Sequence, residues 1–300
     1  MTFLQKKHSW HDSCYFNNQK IINMEKNFTD IKFYNTNMAK PMDDKLFFLD
    51  KIDWENNVIV DFGCADGRIL AEIKRRIEGK NKKNFFYIGY DISPVMIDFA
   101  KTNWDGDGGR VFFTSNWEDV IMAIEARKSM TGVLLLSSVI HEVYSYAKDE
   151  NEINEFWDRV LNTGFRYVIV RDMMVDHSVD KSSNYNIYSA LKEKKLYDNG
   201  MYQYAPYVTK FERHWGSVER NKNAIHFLLK YPWLINWERE VNENYLPIYT
   251  TDLVEKMFKR YDIEYFKHYK LPFIVDRIKK DWGFILKDNT HVKAIFKLRK

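Results

Sequence analysis

The sequence predicts an α/β protein: a doubly wound, mostly parallel seven-stranded sheet with helices on both faces, interrupted by one insertion. Three observations predict it. Short apolar runs and helical stretches alternate from residue 58 to about 171. The rhythm breaks over 173–249 and resumes at Thr250. The first apolar run ends in Asp61-Phe62-Gly63-Cys64-Ala65-Asp66-Gly67, a bend of small residues directly before a helix. Strands buried on both faces read as continuous apolar runs, and right-handed crossovers place the intervening helices on both sides of the sheet.

The elements follow in order. Met42–Ile52, with Leu46, Phe47, Phe48 and Leu49, reads as a helix leading into the core. Val58–Phe62 is a strand by its unbroken apolar run. Gly67–Glu78 sets Ile69, Leu70, Ile73 and Ile77 at helical spacing, and Gly79 is its stop. Phe85–Tyr90 is the second strand. Ser93-Pro94 supplies an N-cap and a proline for the first helical position, so a helix follows over about 94–102. Asp105-Gly106-Asp107-Gly108-Gly109 is a turn cluster. Val111–Thr114 is a strand, Trp117–Lys128 a helix and Val133–Leu136 a fourth strand. Asn151–Asn162 is a helix with Ile153, Phe156, Trp157, Val160 and Leu161 on one side, and Tyr167–Val170 is a fifth strand. After the insertion a helix runs from Thr250 to about Arg260. Asp262–His268 and His291–Leu298 are the last two strands, with Leu271-Pro272-Phe273 and a basic stretch at 277–280 between them.

Composition narrows the possibilities. Hydrophobic residues make up 45% of the chain, enough for a real core, and the aromatic share of 16% is high enough that some rings are expected at a ligand or partner surface. The formal net charge of +4 excludes a general polycation. The charge is uneven, however: residues 259–300 hold 12 Lys and Arg against 5 Asp and Glu, which leaves the rest of the chain net acidic. A basic region of that kind attracts nucleic acid or forms a solvated face, and the second reading is favoured. Cys14 and Cys64 lie far apart, so no disulfide framework is expected, and the start of the chain lacks the apolar run of a signal peptide. With no stretch long and apolar enough to span a bilayer, a cytoplasmic protein is expected.

The bend at 61–67 suits a ligand lying against bare main chain. A dinucleotide fingerprint of spacing G-x-G-x-x-G, counted from Gly63, would need glycine at 68, where the chain has Arg68. This disfavours a nicotinamide cofactor. Asp91, at the end of the second strand, can accept hydrogen bonds from two ribose hydroxyls, and it can also stabilise the start of the following helix. Asn116 is a good N-cap for the helix after the third strand.

The bend resembles the first motif of class I S-adenosylmethionine (SAM) dependent methyltransferases, acidic-x-Gly-x-Gly-x-Gly, with Ala65 in place of the middle glycine. The resemblance covers roughly residues 45–171 and 250–300. It implies SAM as cofactor, held along Asp61, Gly63, Cys64, Ala65, Asp66 and Gly67, with its ribose on Asp91. It implies that Ile92 and Met96 flank the adenine, that Asn116 and Trp117 meet the adenine edge, and that Ser137 borders the cofactor at the end of the fourth strand. The segment Ser137-Ser138-Val139-Ile140-His141-Glu142 is similar to the stretch of small-molecule O-methyltransferases in which a histidine takes a hydroxyl proton. His141 is therefore a candidate base or a structural histidine, and Glu142 is a candidate for orienting it or contacting substrate. Tyr144 and Tyr146 are candidate walls of the acceptor pocket. The family resemblance divides the chain into an N-terminal arm and helix (1–45), a core (46–172 and 250–300) and an inserted lid (173–249).

The expected activity is methyl transfer to an O or N acceptor, a small aromatic or heterocyclic molecule. Charge in the insertion is nearly balanced, ten Lys and Arg against nine Asp and Glu over 176–249, which favours a small molecule over a polyanion. Two alternatives stand: an RNA methyltransferase using the basic 259–300 region, and a SAM-binding partner without catalysis. No Asn-Pro-Pro-aromatic motif, Pro-Cys nucleophile or Lys-Asp-Lys-Glu tetrad is apparent, and no His, Cys and carboxylate spacing calls for a metal. His226, Trp233 and Trp237 read as ordinary core. The sequence leaves the oligomeric state open.

Overall fold

The structure is a computed structural model, and it describes residues 42–78, 83–104, 109–181, 187–191 and 205–300. The N-terminal arm up to residue 41, with Cys14, lies outside the described residues. So do the Gly79 helix stop, most of the 105–109 turn, and residues 182–186 and 192–204 of the insertion.

The elements are α1 (Met42–Lys45), β1 (Asn57–Phe62), α2 (Arg68–Ile77), β2 (Phe85–Tyr90), α3 (Pro94–Asn103), β3 (Val111–Thr114), α4 (Trp117–Glu125), β4 (Thr131–Ser137), α5 (Ile140–Tyr146), α6 (Glu150–Asn162) and β5 (Tyr167–Met173). The insertion then contributes α7 (Ala205–Trp215), α8 (Asn221–Lys230) and α9 (Trp237–Glu240). The chain returns through α10 (Thr250–Met257), β6 (Tyr261–Tyr269), α11 (Pro272–Trp282) and β7 (His291–Leu298).

Seven strands form one sheet in the order β3-β2-β1-β4-β5-β7-β6. Neighbours among β1 to β5 are parallel, and β7 runs antiparallel between β5 and β6. The expected doubly wound, mostly parallel sheet is the one observed. The strand order reverses at β1, between β2 and β4, so the carboxyl ends of β1 and β4 frame the crevice where such sheets bind ligands.

Alternate residues of the central strands point to opposite faces, and both faces are covered. Val58, Val60, Leu134, Leu136, Val168 and Val170 pack with Phe156, Trp157 and Val160 of α6. Ile59, Val133, Leu135 and Ile169 pack with Leu70 and Ile73 of α2 and Ile97 of α3 on the other side. A third apolar cluster holds the insertion together: Phe211, Ile225, Phe227, Leu228 and Trp237 meet Ile274, Ile278 and Trp282 of α11. The insertion is thus packed against the segment between β6 and β7.

Several elements differ from the sequence reading, and three of the differences have a local cause. The expected helix over 42–52 stops at Lys45, and the chain turns through 46–51, where Leu49 and Lys51 N–H groups donate to the carbonyls three residues earlier. α4 ends at Glu125 rather than at Lys128, because Met130 N–H folds back onto the Arg127 carbonyl to enter β4. α11, which the sequence reading did not place, starts with Pro272 in its first turn and is closed by Gly283 at φ +77°. Among the described residues, no helix is long and apolar enough to cross a membrane.

Candidate active site

The bend after β1 is built by its backbone. Gly63 and Gly67 sit at φ +78° and +75°, the left-handed region that glycine adopts freely. A Cβ on Gly63 would lie 2.7 Å from Val139 Cγ2, and one on Gly67 would lie 2.9 Å from Phe113 Cζ. Both positions are closed to larger residues. Ala65 shares this backbone region at φ +46° although it is not glycine. Left-handed backbone costs an L-residue roughly 1–2 kcal/mol, and the greater freedom of glycine in the unfolded chain returns part of that. Ala65→Gly is therefore expected to stabilise the fold by about 0.5 kcal/mol, or one to two degrees in melting temperature, measurable by calorimetry.

Asp91 clamps this bend. Its Oδ2 accepts the Ala65 N–H at 2.8 Å and its Oδ1 accepts the Ser93 N–H at 2.9 Å. Burial pushes its carboxyl above the ordinary range, and the two backbone donors work against that shift. Each oxygen keeps a lone pair for a further donor. Asp61, at the head of the bend, is buried, and neither carboxylate oxygen has a hydrogen-bond partner among the described residues. Burial raises it to about 7, with Asp91 and Asp66 adding to the rise and Lys45 opposing it. A buried carboxylate without a donor invites a cationic or N–H group.

The remaining cofactor candidates fall into two groups. Ile92 is 51% exposed beside the bend, while Met96 is buried on α3. Asn116 caps α4, accepting the Glu118 N–H at 3.2 Å. Trp117 is buried against Phe62 and Tyr90 in the core. Cys64 is buried and its thiol is pushed up by burial, with the nearby carboxylates adding to the rise. Asp66 pairs with Arg68 at 2.8 Å, so the side chain at the position that disfavoured a dinucleotide is turned toward its own loop. The Ser137 hydroxyl is buried with no hydrogen-bond partner among the described residues.

His141 lies on α5, just past β4. Its Nδ1–H donates to Asp172 Oδ1 at 2.7 Å, and Asp172 Oδ2 accepts the Ile140 N–H at 2.7 Å. Burial disfavours charge on His141, but the Asp172 carboxylate, with Glu142 and Glu243 adding to it, raises the imidazole above its usual value. Burial likewise opposes ionisation of Asp172, and His141 more than offsets this, holding the carboxyl below its usual range. With Nδ1 committed to Asp172, Nε2 is the nitrogen left to the cavity that His141 lines. The residue that orients His141 is therefore Asp172 and not Glu142. Sequence reasoning missed it, although an acidic residue at the end of a parallel strand is the same signal that singled out Asp91.

Glu142 faces the insertion. Its Oε1 accepts Arg239 Nη2 at 3.0 Å, and Arg239 also reaches Glu243 at 2.7 Å. Tyr146 donates to Glu243 at 2.7 Å, and Asn244 N–H donates to Ser145 Oγ at 2.7 Å. Lys230 donates to the carbonyls of Glu240 and Glu243 and so fixes the turn that carries Arg239 and Glu243. These bonds tie α5 to the insertion. His141, Glu142 and Glu243 each offer a ligand atom within 4.8 Å of the others, a donor set that could hold a metal ion. The guanidinium of Arg239 already bridges the two carboxylates.

The cavity of about 820 Å³ lies at the ends of β4 and β5 under the insertion. Lys45, Ser138, His141, Glu142, Arg171, Trp233 and Phe273 are among its lining residues. Tyr144 and Tyr146 are not among its lining residues: the Tyr144 hydroxyl accepts Trp157 Nε1–H at 3.0 Å, and that of Tyr146 goes to Glu243. His226 and Trp237 are buried core as read from the sequence, whereas Trp233 joins the cavity wall.

No family model matches the chain, and no curated protein matches it. Among solved structures, TnmH is 13% identical with a TM-score of 0.45 over 89% of this chain, and the chain spans only 57% of TnmH. The plantazolicin methyltransferase BamL, solved with a triazolic desmethylPZN analog and SAH, is 10% identical with a TM-score of 0.45, covering 97% of this chain and 100% of BamL. The small RNA methyltransferase HEN1 is 15% identical with a TM-score of 0.39, covering 86% of this chain and 25% of HEN1. The strand order and register, rather than these distant likenesses, carry the assignment. With five parallel strands, a reversed seventh strand between the fifth and sixth, and a glycine-cornered bend after the first, the chain has the Rossmann-like fold of class I SAM-dependent methyltransferases.

Proposed function

We propose that the chain is a SAM-dependent methyltransferase acting on an O or N atom of a small aromatic or heterocyclic acceptor. The observation that carries this reading is the His141–Asp172 pair, which leaves one imidazole nitrogen to a large cavity at the ends of β4 and β5, next to the switch point of the sheet. The cofactor bend fits a ligand with both an adenosyl ribose and a cationic amino acid. Asp91 keeps acceptor capacity for hydroxyls, and the orphaned Asp61 carboxylate suits an ammonium. SAM, when bound, supplies a methyl group already activated by its sulfonium, so the protein needs chiefly to align the acceptor and exclude water.

His141 Nε2 accepts the proton of an acceptor hydroxyl or amine. The imidazolium so formed keeps its Nδ1–H on Asp172, whose carboxylate stabilises the charge. Residues 205–245 and α11 roof the cavity and serve as the lid, while α5 joins lid to core through Glu142, Tyr146 and Ser145. The RNA reading loses support from the C-terminal charges: Lys293, Lys297 and Arg299 are paired with Asp44, Glu264 and Asp262.

The test is transfer of labelled methyl from SAM to a cell extract separated into small molecules and RNA. Label is expected in the small-molecule fraction. Label confined to RNA selects the nucleic-acid reading, and tight SAH binding without any transfer selects the silent partner. Calorimetric titration with NADH and SAH should give heat with SAH alone.

A further inference from the structure

The carboxylates that line the cavity are all engaged. Asp44 takes Arg171, Lys293 and the Tyr269 hydroxyl, at 2.9, 2.6 and 2.6 Å. Asp43 pairs with Arg76, Glu142 and Glu243 share Arg239, and Glu240 accepts the Tyr245 hydroxyl. The cations Arg171, Lys293, Arg239 and Arg277 are likewise placed against carboxylates.

Lys45 is different. It lines the cavity, its exposure is only 8%, and no acceptor among the described residues lies within hydrogen-bond or ion-pair reach of its ammonium. The side chain is buried while its ammonium lacks a protein acceptor, which leaves that charge to the contents of the cavity. Asp61, Asp66 and Glu142 act on it from a distance and Arg171 repels it, so its surroundings carry charges of both signs without a direct partner. Lys45 shares with Ser138, His141 and Arg171 a cavity that the bend residues 61–67 do not line, although Asp61 and Asp66 of the bend also act on Lys45. Part of the lining is apolar: Trp233 and Phe273 approach with ring centroids 6.5 Å apart, with Pro232, Leu271 and Pro272 also lining the cavity.

We propose that Lys45 binds a carboxylate of the acceptor, so that the substrate class is an aromatic acid whose ring lies toward Trp233 and Phe273. This deepens the methyltransferase reading and rests on it for the identity of the reaction. A bound carboxylate gives the ammonium a direct partner, and neutral analogues leave it without one. Burial, helped by Arg171, lowers Lys45 to about 8, with Asp61, Asp66 and Glu142 opposing. Carboxylate binding is therefore expected to be full at pH 7 and to fade as pH rises through about 8.

The test titrates the full chain, with and without SAH, with 4-hydroxybenzoate, 4-hydroxyphenylacetate and 3-(4-hydroxyphenyl)propionate, each against its primary amide. At least one acid is expected to bind tenfold or more tightly than its amide at pH 7, and to lose that margin by pH 9. Lys45→Met, close in volume and apolar, should erase the margin and leave SAH affinity within twofold; Lys45→Arg should keep part of it. Equal binding of acids and amides, or a margin that survives Lys45→Met, overturns the proposal. So does a tenfold loss of SAH affinity in Lys45→Met with the margin intact, because the ammonium then serves the cofactor's own carboxylate. Failure of SAH to bind overturns the methyltransferase reading alone, since the acid–amide comparison is read equally without it.

Discussion

His141→Ala is expected to lower methyl transfer by about 10²- to 10⁴-fold, the range a positioned general base supplies, while SAH affinity changes by less than twofold. The imidazole lies on α5 and lines the acceptor cavity, and the bend that would carry the cofactor does not contact it through any hydrogen bond among the described residues. A companion variant, Asp172→Asn, separates a base from a packed histidine. Against burial, the Asp172 carboxylate, with Glu142 and Glu243 adding to it, raises His141 above its usual value. Only the neutral ring can take a proton, so activity should rise with pH through a midpoint above 6.5 in the wild type. Removing that negative charge leaves burial opposed only by Glu142 and Glu243, and the midpoint should fall. Histidine NMR titration reads the same shift without needing the acceptor. A midpoint unmoved by Asp172→Asn would reject the pairing, and near-normal transfer by His141→Ala would make the histidine structural.

The same pair contributes to stability with a defined sign. His141 is raised on folding, so its contribution is complete below about 6.5, its unfolded value, and is lost as pH climbs through the higher folded value. Asp172 is lowered on folding, so its contribution is present above about 3.8 and is lost as pH falls through the lower folded value. The pair therefore stabilises most in the mildly acidic range between these limits.

The parts of the molecule governed by local rules were legible from residues alone. Continuous apolar runs gave β1, β2, β4 and β5, and Ser93-Pro94 marked the start of α3, because each depends on a few neighbouring side chains. The bend at 61–67 was legible for the same reason. What escaped was long-range pairing. Asp172 meets His141 across 31 positions, Arg239 meets Glu142 across 97, and Lys45 reaches the cavity from a helix read only as core. The insertion has no periodic pattern that would announce Arg239 or Glu243 as partners of α5. Trp117, expected near the adenine from its position after β3, has its indole packed against Phe62 and Tyr90 in the core.

Asp91→Ala is expected to weaken SAH binding at least tenfold, about 1.4 kcal/mol or more. Two effects contribute, and they are separable. The carboxylate accepts the Ala65 and Ser93 N–H groups, so its loss leaves two backbone donors unmet and loosens the bend. That structural part should appear as a destabilisation of about 1–3 kcal/mol in denaturant titration. The direct part requires the ribose hydroxyls, and a ligand lacking them isolates it. Wild-type protein should prefer SAH over its 2′,3′-dideoxy analogue by tenfold or more, and Asp91→Ala should bind the two alike. Such a cycle measures the carboxylate–hydroxyl coupling without the cost of the loosened bend, which both ligands share. If the preference persists in Asp91→Ala, the carboxylate is a clamp for residues 61–67 and the hydroxyls are read elsewhere. If wild type itself shows no preference, the crevice at the carboxyl end of β2 does not hold a ribose at all.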